Sequence, residues 1–147
     1  MWMHAWITLY IASAAVFLLI SVLARPTEAQ SAFVRVNQIG YIAGARNGAN
    51  LAYLMSPASE TGATFQLKNS SGAVVYSAAI GANLGSWSRS YPFVYGLDFS
   101  SFTTVGTYTI SVTGAIAASS PNFRIDTAAK LYTAPLANTL SFYENGQ

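Results

Sequence analysis

Short apolar segments, each closed by turn residues, set the strongest limit on how this chain can fold. Phe33-Val34-Arg35-Val36 alternates, the run from Ala49 to Met55 is closed by Ser56-Pro57, and Thr64 to Lys68 alternates again. Asn69-Ser70-Ser71-Gly72 then supplies turn chemistry before Val74-Val75-Tyr76. That order predicts a hairpin in which Asn69 and Gly72 tolerate the positive φ of a tight turn. Phe93 to Leu97, Thr107 to Val112 and Asn122 to Ile125 complete a set of seven segments. The cleanest is Thr107 to Val112, where Tyr108, Ile110 and Val112 are placed to face a core and Thr107, Thr109 and Ser111 to face water. Strands this short must pair into sheets, and two sheets must pack face to face to bury their apolar sides.

The turn spacing makes the expected fold class all-β, an immunoglobulin-like β-sandwich. Between Asp98 and Tyr108 an acidic residue, a Ser- and Thr-rich turn and Gly106 precede a tyrosine at the start of a strand. This is either a tyrosine corner, with the hydroxyl bonded back to upstream backbone, or an ordinary core tyrosine after a glycine turn. With no cysteine in the chain, a disulfide framework and thiolate metal sites are excluded, and the core alone must hold the sandwich.

Two segments flank the strands. Ala5 to Ala24 is almost wholly apolar, interrupted only by Thr8, Ser13 and Ser21, and is followed by Arg25-Pro26 and Thr27-Glu28-Ala29. Small residues at Thr27 and Ala29 suit cleavage after Ala29, so residues 1–29 read as a signal peptide whose helix precedes the sandwich. The run is also about the length of about 20 residues that spans a bilayer, and only His4 and the α-amine are basic ahead of it. An uncleaved signal-anchor is therefore the alternative. Either way the expected location is outside the cytoplasm: secreted, extracellular or periplasmic, or membrane-anchored if the signal is kept. At the other end, Leu136, Leu140 and Tyr143 recur at helical spacing, with Thr133 placed as an N-cap and Pro135 near the first turn, which predicts a short C-terminal helix. The expected organisation is thus 1–29 signal, 30–126 sandwich, and 127–147 linker and helix.

Several function classes drop out. The basic residues after Ala29 are Arg35, Arg46, Lys68, Arg89, Arg124 and Lys130, scattered rather than clustered, so no nucleic-acid partner is expected. The carboxylates Glu60, Asp98, Asp126 and Glu144 are not placed by any motif at glycosidase spacing, and the lone His4 lies in the export segment. No catalytic residue, no metal ligand and no cofactor is expected. Among exposed aromatics Tyr41, Trp87, Tyr91 and Tyr95 are candidates for stacking on sugar rings, with Trp87 and Tyr91 retained as carbohydrate-binding candidates; packing in a core or against a neighbouring domain is the competing explanation.

Five strings carry a resemblance. VRVNQIGY (Val34–Tyr41), VYGLDFSSF (Val94–Phe102), GTYTISV (Gly106–Val112), SPNFRI (Ser120–Ile125) and the closing LYTAPLANTLSFYENGQ follow one another in order. Together they resemble the N-terminal immunoglobulin-like domain of glycoside hydrolase family 9 cellulases and the start of the helical domain behind it. The resemblance implies structural roles for Asn37, Gln38, Gly40, Tyr41, Asp98 and Tyr108: Gly40 for a sharp exit from the first strand, Asn37 and Gln38 for bonding exposed backbone there, and Asp98 with Ser100 for capping a turn. The segment after Tyr41 departs from the family in lacking a proline. The resemblance also implies that the final helix is the first of a missing (α/α)6 catalytic domain, whose carboxylates would hydrolyse β-1,4-glucans such as cellulose, as in a truncated gene. The expected function is then a non-catalytic accessory module supporting that domain in the same full-length protein. The alternative is a stand-alone extracellular or membrane-tethered carbohydrate-binding sandwich, with polysaccharide as its partner.

Overall fold

The computed structural model describes residues 31–46 and 49–145, so the export segment expected over residues 1–29 lies outside the described residues. Strands β1 (Phe33–Arg35), β3 (Leu51–Ser56) and β6 (Phe93–Asp98) form one antiparallel sheet in the order β1-β3-β6. The second sheet takes the order β2-β9-β7-β4-β5, from β2 (Tyr41–Ile42), β9 (Phe123–Asp126), β7 (Gly106–Thr113), β4 (Thr64–Asn69) and β5 (Val74–Ala79), with β8 (Ala118–Ser119) also pairing with β7. Helix α1 (Ala128–Asn145) follows β9.

Alternation along the strands builds the core between the sheets. Val34, Ala52, Leu54, Tyr95 and Leu97 point inward from the three-stranded sheet, and Phe65, Leu67, Tyr108, Ile110, Val112, Phe123 and Ile125 from the other. Each fully buried side chain of this size contributes about 1.5–3 kcal/mol relative to leaving it exposed. Where a disulfide might have joined the sheets, aromatic rings interlock instead. Tyr41 meets Phe99 edge-on at 4.8 Å and Phe123 at 5.3 Å, while Phe102 meets Tyr108 at 5.2 Å and 89°. Offset and edge-to-face pairs of this kind add to the area they bury.

The hairpin between β4 and β5 forms, but its chemistry differs from expectation. Only Gly72 takes a positive φ, of 82°. Asn69 keeps an ordinary backbone and acts through its side chain, whose Oδ1 accepts from the amides of Ser71 and Ala73 and from the Ser71 hydroxyl at 2.7–3.1 Å. Carbonyl acceptance by Asx residues is the other route by which they stabilise turns.

The C-terminal helix also begins earlier than expected. Thr127, not Thr133, is the cap: its Oγ1 accepts from the Lys130 amide at 3.4 Å and its carbonyl from the Leu131 amide at 3.1 Å. Pro135 therefore lies inside the helix rather than near its first turn. A proline there leaves the carbonyl one turn back without its amide. The helix tolerates it because its first turn is seated on the sandwich, and Leu131 is buried there. One residue separates β9 from α1, so no extended linker intervenes. Among the described residues no helix is long and apolar enough to cross a membrane.

Candidate functional site

Of the carboxylates named above, Glu60, Asp98 and Asp126 are each held by hydrogen bonds within the fold. Glu60, which the sequence places in a polar loop, is almost completely buried; it accepts from the Ser56 hydroxyl at 2.8 Å and the Ile116 amide at 3.1 Å. Its own amide donates to the Tyr95 hydroxyl at 3.0 Å, so this buried residue ties two loops to the core. Asp98 accepts from the Ser100 amide and hydroxyl at 2.9 and 2.6 Å, and Ser100 Oγ in turn accepts from the Asn50 amide at 3.1 Å. Asp126 is paired with Arg124 at 2.6 Å and accepts from the Thr127 amide at 2.8 Å. The Thr127 amide first, and then the Arg124 guanidinium, hold the Asp126 carboxyl below the usual carboxylate range. Among the described residues no group of three or more metal-ligating side chains comes together.

Two regions of the surface remain as candidates. The first is the junction with α1, and the VNQIGY segment builds it. Asn37 Oδ1 accepts from the Ile39 amide at 3.0 Å, and the Asn37 amide donates to the Tyr41 hydroxyl at 2.9 Å. That hydroxyl donates to the Leu51 carbonyl at 3.2 Å, which fixes the turn onto β3. Burial pushes the Tyr41 hydroxyl above its usual titration range, against the opposing pull of the Asn37 amide. Gln38 is exposed, and the turn's hydrogen bonds run through its neighbours. Gly40 sits at φ 118°, and a Cβ there would lie 2.7 Å from Leu131 Cδ2 and 2.8 Å from the Arg124 carbonyl oxygen. Glycine is thus required twice, by conformation and by the close approach of α1. Beyond that seat the helix presents Tyr132, Leu136 and Leu140 to solvent.

The second region is a groove of about 610 Å³ on the outer face of the three-stranded sheet, lined by Arg35, Tyr53, Met55, Leu84, Trp87 and Val94 among others. Trp87 is 72% exposed. Tyr91 is half-buried and packs edge-on against Phe33 at 5.7 Å, so it braces the loop rather than joining Trp87 in a strip. Tyr41 and Tyr95, also considered for stacking on sugars, lie in the core and are unavailable for it. Tyr108 donates to the Thr104 carbonyl at 3.1 Å, the bond of a tyrosine corner, and burial raises its titration range.

This combination of a two-sheet sandwich, a corner tyrosine and an NQIGY turn seating a helix agrees with sequence comparison. The profile of the cellulase N-terminal Ig-like domain matches residues 29–116. The chain belongs to that family. Among solved structures, the Ig-like domain is similar to part of a glycoside hydrolase family 9 protein of Bacteroides ovatus, with 30% identity and a TM-score of 0.54 over 76% of this chain and 18% of that one. A metagenome-derived family 9 endoglucanase matches at 26% identity and a TM-score of 0.50, over 65% of this chain and 18% of that one. A single-mutant thermostable endoglucanase of Alicyclobacillus acidocaldarius, at 21% identity and a TM-score of 0.56, covers 79% of this chain and 18% of its own; at that identity it supports the fold alone. No curated protein matches the chain. The chain spans less than a fifth of the length of these structures, and in them the Ig-like domain is joined to a catalytic domain within one polypeptide. What the profile matches here is the N-terminal Ig-like domain of cellulases.

Sequence reasoning missed three residues that matter at these surfaces. Leu131 falls outside a helix begun at Thr133, although it stands one turn before Pro135. Tyr53 sits in the apolar run closed by Ser56, where its outward register is visible only once Ala52 and Leu54 are assigned to the core. Leu84 lies in a Gly- and Asn-rich segment with no periodicity to mark it.

Proposed function

We propose that this Ig-like domain is the non-catalytic N-terminal accessory module of an exported family 9 glycoside hydrolase, and that it supports an (α/α)6 catalytic domain acting on β-1,4-glucans. The observation that carries this reading is the seating of Leu131 on Gly40. A helix whose first turn is locked to the sandwich, while Leu136 and Leu140 stay exposed, is suited to transmit the sandwich's rigidity to whatever packs on its outer face. The residue types and their order match the family motif, and the solved relatives pair the same kind of domain with a catalytic domain. Export is supported by the apolar stretch Ala5–Ala24 and the small residues before Gln30.

The test places this chain ahead of the catalytic domain of the Bacteroides ovatus relative, replacing that protein's own N-terminal part. The half-life of glucanase activity at elevated temperature is then measured. Support is a half-life several times that of the catalytic domain alone, with the gain abolished by Leu131→Asp. Equal half-lives with and without the sandwich would sink the accessory role. Export is checked separately by fractionating a bacterial host that expresses the tagged chain; retention of unprocessed chain in the cytoplasm counts against it.

A further inference from the structure

Large apolar side chains normally leave the solvent when the backbone allows it, and Trp87 does not. The reason is a rigid backbone. Between Gly81 and Tyr91 the chain runs beside β6 and is pinned to it, with the Gly81 amide on the Gly96 carbonyl at 2.8 Å, Leu84 on Val94 at 2.8 Å and Val94 on Gly85 at 3.0 Å. Asn83 Oδ1 accepts from the Gly85 amide at 2.9 Å, and Gly85 takes φ 108°. At the tip the Trp87 amide donates to the Tyr91 carbonyl at 3.0 Å, and the Tyr91 ring is braced on Phe33. Gly96 keeps the sheet surface low beneath the segment, where a Cβ would come 3.3 Å from Leu51 Cδ1. The indole is therefore displayed by a pinned loop beside a preformed groove.

The chemistry of that groove selects among ligands. Its volume of about 610 Å³ is typical of small-ligand clefts. Its walls are apolar and aromatic (Tyr53, Met55, Leu84, Trp87, Val94), and its polar groups are few: the Arg35 guanidinium, the Tyr53 hydroxyl and Ser86. Among the described residues no carboxylate lines it, which disfavours a basic peptide or a cation. The one guanidinium among the described lining residues, held 5.3 Å from the centre of the Phe33 ring, is too little charge for a polyanion. A ligand that suits flat apolar walls with a few donors at the rim is neutral, with C–H faces and hydroxyl edges. A β-linked pyranose chain has both, in an extended ribbon that an open groove admits.

We propose that this groove binds a short stretch of neutral β-1,4-glucan, with sugar rings stacked on Trp87 and Tyr53 and ring hydroxyls bonded by Arg35. Choosing a glucan among β-linked polysaccharides rests on the family reading above. The domain would then hold substrate as well as support its neighbour, at a surface separate from the Gly40–Leu131 seat.

The experiment uses the full chain. Native gels cast with hydroxyethyl cellulose measure retardation, and cellohexaose is titrated while tryptophan emission is followed. The expected result is retardation by the polymer and a blue shift with cellohexaose. Trp87→Ala should weaken retardation by the polymer at least tenfold, Arg35→Gln should weaken both readouts less, and Val75→Ala, on a distant exposed edge, should leave both intact. Circular dichroism confirms that each variant is folded. Unretarded wild type, retardation unchanged in Trp87→Ala, or equal affinity for an α-linked maltohexaose overturns the proposal. So does concentration-dependent self-association that is lost in Trp87→Ala without any effect of glucan, which would assign the groove to a second copy. If glucan binding fails while the Leu131-dependent gain in half-life holds, the groove assignment falls and the accessory role stands. The opposite pair of results leaves the groove and removes the accessory role.

Discussion

The two candidate surfaces of this domain use aromatic and apolar groups in opposite ways. At the junction, Tyr41, Phe99 and Phe123 interlock inside the sandwich, and Leu131 of α1 closes over Gly40 with no room for a Cβ. At the groove, Trp87 and Tyr53 are held in place by backbone hydrogen bonds of their segments and remain exposed to solvent. The first region is tight because side chains fill each other's space; the second is ordered because the backbone is pinned. Substitutions at the junction should therefore register mainly in stability. At the groove they should leave stability nearly untouched and register in binding.

The largest expected effect is at Gly40. Gly40→Ala forces a left-handed backbone on an L-residue and drives a methyl into the Arg124 carbonyl, with an expected loss of about 3 kcal/mol in urea unfolding. A midpoint within error of wild type would break the idea that this glycine is the seat of α1. Leu131→Ala should come next, at about 2–3 kcal/mol, because it empties a buried site that the helix cannot refill without moving. Amide exchange sharpens this second test, since α1 should lose protection while β4 and β7 keep theirs. Tyr108→Phe removes only the corner hydroxyl and should cost about 1 kcal/mol. The smallest effect is expected at the groove, where Trp87→Ala should change stability by no more than about 0.5 kcal/mol. A loss several times larger would mean that the indole supports the fold and is not merely displayed.

The junction also carries a pH dependence. Asp126 titrates below its ordinary range in the folded chain, so its contribution is present above the unfolded value of about 4 and is lost as pH falls through the lowered folded value. Asp126→Asn should flatten the acid limb of a stability-against-pH curve while leaving the neutral region close to where Thr127 alone would hold it. On the alkaline side Tyr41 and Tyr108 titrate above their ordinary range through burial. Stability should accordingly fall as pH rises past about 10.

How far these regions were legible from sequence follows from how local their causes are. The alternation of β7 and the Asn69–Gly72 turn are written within a few residues, and both elements form. The residues around Tyr108 fit a tyrosine corner and an ordinary core tyrosine equally, and the hydroxyl on the Thr104 carbonyl makes it the corner. The strands β2 and β8 carry no readable period because each has only two residues; β2 exists only through β9, far along the chain, and β8 only as the short return strand on the end of β7. Glu60 reads as a loop charge because its acceptor role depends on Ile116, on a loop that only the folded sheet brings near. The start of α1 was misplaced for a related reason. Local propensity makes Pro135 a first-turn residue, and the tertiary seat of Leu131 overrides it. At the groove, Trp87 was visible as an unusual aromatic in a Gly- and Ser-rich stretch, whereas Tyr53 and Arg35 become its neighbours only through the pairing of β1 with β3 and of β3 with β6.

The single-residue step from β9 to α1 has a mechanical consequence. A slack tether would absorb tension; Thr127 cannot. Force applied along the helix reaches β9 at once, where Tyr41–Ile42 lies parallel on one side and Gly106–Tyr108 antiparallel on the other. The load is shared by hydrogen bonds on both flanks of the strand instead of peeling one edge open. The sandwich is thus built as an anchor point, stiff in the direction in which its helix pulls.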